Sequence, residues 1–248
     1  MGAAVKPAGE TPQPHRSLQA GLLVLCGLGL LHVSLFTDLC LRYVKEGMRL
    51  PLIASGAVLL VLGIASAVLD RAGETEEHDG HSGLPRVAWL LLLPALGLLV
   101  HAPPALGAYT AARQPAKVVV HDSEFDPLPR TSPLPMTLSD FTGRVRQDRG
   151  QAIKGRTIRM TGFVTPGDGG GWELTRIILN CCAADAQSVK VRVYGGPALP
   201  ADTWVTVTGT WHPGGTLGTG SAAVALDART VTKVPRPANG YQDALPLG

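Results

Sequence analysis

The chain has 248 residues, 45% of them hydrophobic and only 17% charged, and its 22 Lys and Arg against 19 Asp and Glu leave a net charge of +3. That charge is too small, and the basic residues are too scattered, to form an electrostatic footprint for nucleic acid, so this class of partner is excluded. The charges are also segregated into a few segments and leave others bare, a pattern that predicts membrane spans joined to a soluble part.

Residues 1–17 mix Pro, Gly, Lys and Glu without periodicity and read as a disordered tail. The stretch 18–36 carries no Lys, Arg, Asp or Glu. Since about 20 apolar residues at about 1.5 Å each cross a hydrocarbon core of about 30 Å, it is predicted as a first transmembrane helix. Arg16 before an apolar run also fits a signal peptide, but no small-residue cleavage site follows, and Phe36, Leu39 and Tyr43 are bulky. The run LPLIASGAVLLVLGIASAVL, residues 50–69, predicts a second span, with Pro51 in the first turn where a missing N–H costs little.

DRAGETEEHDGHSGLPR then makes a solvated acidic loop, followed by a third predicted span, 87–107, with Trp89 and Tyr109 at the level of an aromatic belt and Pro94 as a kink. Gly27, Gly29, Gly56, Gly63 and Ala67 would let these helices approach closely. His32 and His101 either line a path through the membrane or sit near its interface.

After Tyr109 the texture turns to Pro, Arg, Asp and Ser, which predicts an extended linker over 108–136. A soluble β domain is expected over 137–236, with a tail over 237–248. Ser139 is placed to cap a short helix, DFTGRVRQD, ahead of five strand-like runs: TIRMTGFV, WELTRIILN, VKVRVY, WVTVTGTW and AAVALDARTVTKV. In the fourth run Val205 and Val207 share one face, opposite Trp204, Thr206 and Thr208. Five short strands suit a small closed barrel, because closure removes exposed edges. The fold class is therefore a membrane α part of three transmembrane helices plus a small all-β, OB-like C-terminal domain.

Chemistry concentrates at ILNCCAADA, where a strand ends in Cys181 and Cys182 with Asp185 close behind. Thiolates bind Zn²⁺ or Cu(I), and a carboxylate can complete a Zn²⁺ shell, so these three residues are candidate metal ligands, with His212 as a further donor. Adjacent side chains on a regular strand point to opposite faces, so joint ligation requires a bend. The competing readings are thiol exchange, or a structural role in which one cysteine is a small core hydrophobe.

A second candidate metal site is the loop holding Glu74, Glu76, Glu77, His78, Asp79 and His81, with His78 and His81 as its imidazole donors; the alternative is a plain solvated loop. The run GDGGG, residues 167–171, lacks the Lys-Ser/Thr of a phosphate loop and predicts a hairpin turn. No Ser/His/Asp or Cys/His set has a recognisable triad spacing, so no enzymatic activity is expected.

The chain resembles a family of bacterial membrane proteins described as the accessory subunit of a two-component permease complex. The resemblance runs through RYVKEGMRLPL, the His-bearing loop, RVAWLLLLPALGLLVHAPPALG, KGRTIRMTGFV, NCCAADAQSVKVRV and DTWVTVTGTW. It implies a separate multi-span permease as partner, a soluble C-terminal domain carrying the double cysteine, and metal ions such as zinc as cargo. Only Cys181, Cys182 and Asp185 carry over as matching motif residues. The loop here holds fewer histidines than richer relatives, which counts against metal capture by that loop.

Lys and Arg counts on the two sides of the spans are nearly balanced, Lys6, Arg16, Arg71 and Arg86 against Arg42, Lys45, Arg49, Arg113 and Lys117. Arg86 ahead of a span that ends in small residues favours an extracytoplasmic C-terminal domain. Three spans are few for a solute path, so a permease partner or self-assembly in the bilayer is required. The alternative function is a membrane-anchored thiol or metal sensor without transport, and beyond it a cysteine-dependent enzyme.

Overall fold

The computed structural model describes residues 14–72, 105–117, 125–197 and 199–246. The chain divides into two compact units, Met1–Leu41 with Glu46–Pro104, and Arg42–Lys45 with Ala105–Gly248.

The first unit holds α1, Pro14–Leu35, and α2, Arg49–Ala72. Their backbones touch because the contact residues lack side chains. A Cβ on Gly27 would fall 2.8 Å from the Gly56 carbonyl oxygen, and one on Gly63 would fall 2.9 Å from the Val24 nitrogen. Gly29, by contrast, faces open space. Leu25, Leu28, Val58, Val61, Leu62, Ile64, Val68 and Leu69 stay exposed, so the pair is apolar on its outside as well as along its seam.

Three spanning helices are expected, and among the described residues one helix, Glu46–Leu69, is long and apolar enough to cross a membrane. The apolar part of α1, Gln19–Leu35, is shorter: at about 1.5 Å per residue it reaches about 26 Å against a core of about 30 Å. Most of the third expected span, residues 87–104, lies outside the described residues, as does the loop with His78 and His81.

The second unit is built on a six-stranded sheet: β1 Leu134–Pro135, β2 Ile158–Pro166, β3 Trp172–Ile178, β4 Gln187–Tyr194, β5 Trp204–Trp211 and β6 Ala225–Lys233. Strand order is β1-β2-β3-β4-β6-β5, and β2 also pairs with β5, so β2 to β6 close into a ring. β4 and β6 run parallel, and the other pairs of the ring are antiparallel. The expected alternation holds on β5, where Val205 and Val207 are fully buried while Trp204, Thr206 and Thr208 are half-buried. Met160, Leu174, Val191 and Leu226 fill the interior with them.

Two short helices complete this unit. α3, Ala108–Arg113, lies in the stretch expected as linker and packs Ala108 and Ala111 against Phe163, Ile177, Leu179 and Tyr241. α4, Leu138–Gln147, buries Leu138, Phe141 and Val145 against the core. Its N-cap is Thr137, whose hydroxyl accepts the Asp140 N–H at 3.1 Å; Ser139, the expected cap, falls inside the first turn, where it has no orphan N–H ahead of it.

The C-terminal segment is tied down by a buried cation. Arg176, on β3 and 2% exposed, donates to the carbonyl oxygens of Thr161, Asn239, Gln242 and Ala244. Burial draws its pKa down, with Asp243 acting in the opposite sense. Tyr241 adds a hydrogen bond from its hydroxyl to the Leu106 carbonyl at 2.9 Å.

Two outcomes follow for the β unit. Gly209→Ala places a Cβ against the Asp227 carbonyl at the β5 bulge and lowers stability by about 1–3 kcal/mol, read as a fall in Tm by tryptophan fluorescence. Arg176→Met leaves the C-terminal carbonyls without their charged donor and costs about 2–3 kcal/mol, with chymotrypsin cutting faster after the now loosened Tyr241.

Candidate functional site

β3 and β4 form a hairpin whose register runs from Trp172 opposite Val193 to Ile178 opposite Gln187. At the second end the chain leaves β3, buries Leu179, and passes through Asn180, Cys181 and Cys182 into a single 3-10 turn, Ala183–Asp185, before β4 begins. The two cysteines are therefore off the regular strand, and the bend that joint action requires is present. Their sulfurs lie 3.6 Å apart, both thiols are free, and Cys181 is exposed.

Asp185 organises this turn. Its two carboxylate oxygens accept the backbone N–H groups of Asn180 at 3.0 Å and Cys181 at 2.7 Å, and its own N–H donates to the Cys182 carbonyl at 3.1 Å. Such a side chain turning back onto preceding N–H groups replaces the sheet hydrogen bonds lost where the strand ends. The same carboxylate hydrogen-bonds the Cys181 thiol. That bond, with the neighbouring Cys182 thiol, pushes the Cys181 pKa up to about 11, because a negative acceptor favours the protonated sulfur. Reciprocally, the thiol and the backbone N–H donors hold Asp185 below the usual carboxylate range.

A second strand-like segment flanks the pair. Val44 forms an antiparallel bridge with Cys182: the Lys45 N–H donates to the Cys181 carbonyl at 3.0 Å, and the Ala183 N–H donates to the Tyr43 carbonyl at 2.6 Å. On the β4 side the Lys117 N–H donates to the Ser188 carbonyl at 2.8 Å. Neither contact has a local sequence signal, since each joins residues far apart in the chain.

Cys181, Cys182 and Asp185 are thus brought together. His212 is not with them. It sits at the end of β5, its Nδ1 2.7 Å from Asp227 and its ring 4.1 Å from that of Tyr194. Tyr194 closes the opposite end of the β3–β4 hairpin, and six residue steps of about 3.3 Å separate the two ends by about 20 Å. The cluster of His212, Asp227 and Tyr194 has no signal in the sequence, because alternation on β5 and β6 alone leaves their relative register open. Among the described residues no group of three or more His, Cys, Asp or Glu is arranged to hold a metal ion. What the hairpin offers is two soft donors at short range, with a carboxylate already occupied by N–H and S–H donors.

Residues 144–242 match the family of the DUF1980 C-terminal domain, a range that includes β2 to β6, Arg176 and the whole cysteine hairpin. No curated protein and no solved structure matches the chain.

Asp185→Asn removes the negative charge beside the thiol and leaves only a weaker, neutral acceptor, so it lowers the Cys181 pKa. The sign is that thiolate becomes more abundant at a given pH, and alkylation of Cys181 by iodoacetamide at pH 8 speeds up about tenfold. An unchanged rate would mean that the carboxylate does not hold the thiol proton.

Proposed function

We propose that this chain is the accessory subunit of a membrane permease complex, anchored by helices at 18–36, 50–69 and 87–107, with an extracytoplasmic OB-like barrel that handles a soft or borderline metal ion such as Zn²⁺ as cargo. The resemblance to permease accessory subunits supports the membrane and partner parts of this reading. The closed order β2-β3-β4-β6-β5, with β4 and β6 parallel, supports the OB-like one.

The observation that carries the metal reading is the pair of free thiols 3.6 Å apart on a solvated hairpin. Two Zn–S bonds of about 2.3 Å at a tetrahedral angle place their sulfurs about 3.8 Å apart, so the pair needs little rearrangement to grip one ion. Two protein donors leave other positions of the ion open to water or to a ligand on the permease, which suits transfer better than storage. Cys181 is protonated at neutral pH, so binding releases protons and tightens as pH rises. The same raised pKa leaves little thiolate for nucleophilic attack, which weighs against a cysteine-dependent enzyme.

The alternative, a thiol or metal sensor that transports nothing, draws support from the hydrogen bonds between the cysteine hairpin and Tyr43–Lys45. The two readings separate in two paired measurements: metal binding by the full chain in lipid nanodiscs, and metal uptake by cells that co-express the permease. Under the transport reading, about one Zn²⁺ or copper ion is bound per chain, binding is lost in Cys181→Ser/Cys182→Ser, and deletion of residues 125–246 abolishes uptake by the co-expressed permease while that permease still co-purifies. Metal binding with uptake unaffected by the deletion would favour the sensor; no metal bound to the full chain would remove the metal part of both readings and leave the accessory-subunit reading without its cargo.

A further inference from the structure

Cys181 and Cys182 have a second chemistry that needs no metal. Their sulfurs are already in contact at 3.6 Å. The remaining described thiols are Cys26 on α1 and the buried Cys40. Joining neighbouring cysteines makes an eight-membered ring that includes the peptide between them. Consecutive Cα atoms are held about 3.8 Å apart, below the span of about 4.4–6.8 Å usual for a disulfide, so closure to an S–S bond of about 2.05 Å has to turn that peptide.

The peptide in question is also the one that holds the flanking segment. Its carbonyl, Cys181 C=O, accepts the Lys45 N–H, and the next amide, Ala183 N–H, donates to Tyr43. Those two hydrogen bonds are the whole of the bridge at Val44. Turning the 181–182 peptide swings the carbonyl away from Lys45 and displaces Ala183, so the ring and the bridge compete for one backbone geometry. Arg42–Lys45 belongs with the β unit, so this competition takes place inside that unit.

We infer that Cys181 and Cys182 are a redox-active vicinal dithiol that closes to a disulfide by exchange with a low-molecular-weight disulfide, and that closure breaks the two bridge hydrogen bonds to Tyr43 and Lys45. In the first step one cysteine thiolate attacks the small disulfide, forms a mixed disulfide and expels one small thiolate. In the second step the neighbouring cysteine attacks the protein sulfur of that mixed disulfide and expels the other. The two protons given up by the cysteines end on the two small thiols, so two protein thiols are oxidised while one disulfide is reduced to two thiols. A ring that strains its own peptide is readily reduced again by the reverse exchange, which suits a reversible site. The inference is independent of the metal reading.

The test uses the full chain in nanodiscs with a chelator present and oxidised glutathione as the oxidant. The expected product has lost two hydrogens, maps to a peptide containing Cys181 and Cys182, and carries no glutathione. Amide hydrogen exchange at Lys45 and Ala183 then rises about tenfold or more, and returns to its slow rate on reduction. Cys181→Ser, which keeps one thiol, stops at the mixed disulfide and retains slow exchange at Lys45. Two outcomes overturn the inference: a native chain that retains both thiols or stops at the mixed disulfide, or a closed disulfide with exchange at Lys45 and Ala183 unchanged. A chain that binds Zn²⁺ yet never closes loses this inference alone, and one that closes yet binds no metal loses only the metal reading.

Discussion

Strand β2 is paired along nearly its whole length, to β5 over Ile158–Phe163 and to β3 over Phe163–Pro166, and this double pairing closes the ring. Closure demands that two strands approach a third closely, and glycine sits where they do. A Cβ at Gly162 would lie 2.6 Å from the Thr175 carbonyl, and one at Gly209 would strike Asp227. With β2 shared between β5 and β3, the register of β3 and β4 is fixed, and the turn between them is presented at a defined place. The cysteine hairpin inherits its position from that closure.

Within the hairpin one carboxylate serves two purposes that pull in different directions. Asp185 orders the turn by accepting the Asn180 and Cys181 N–H groups, and the same charge keeps the Cys181 proton on its sulfur. The turn is thus rigid but quiet: the two thiols are close together, and Cys181 is exposed yet poorly ionised. Reactivity rises when the carboxylate is drawn off, or when a cation or an electrophilic sulfur supplies a better partner than the proton. This gives a physical reason for the motif to include the aspartate and not only the two thiols.

The barrel carries its flanking segments firmly. α3 and the residues from Asn239 to Ala244 pack on one side, joined by Tyr241 and by the carbonyl cluster around Arg176. Among the described residues this buried guanidinium has backbone carbonyls as its hydrogen-bond acceptors, and it is expensive to desolvate. Its return is geometric, since one side chain on β3 reaches carbonyls of β2 and of the C-terminal segment at once. The α1–α2 pair is held differently, by glycines that bring backbones into contact, with Arg49 donating to the Ser34 carbonyl at 2.6 Å.

The sequence by itself determined the local features: the uncharged run that becomes α2, the glycines of the helix seam, the alternation of Val205 and Val207, and the strand that ends at two thiols. Each rests on a period of residues within one element, which a single strand or helix reveals. Tertiary structure alone decided the rest, including the sulfur separation, the capture of N–H groups by Asp185, the bridge to Val44, the Arg176 carbonyl cluster and the remoteness of His212. The bridge, the carbonyl cluster and the place of His212 depend on strand register and on contacts between residues distant in the chain, where a shift of one residue turns a side chain to the other face. The sulfur separation and the Asp185 hydrogen bonds depend on how the chain bends after β3, which no period in the sequence reveals. Periodicity shows which face is apolar, but only closure of the β2–β5 pair decides what that face meets.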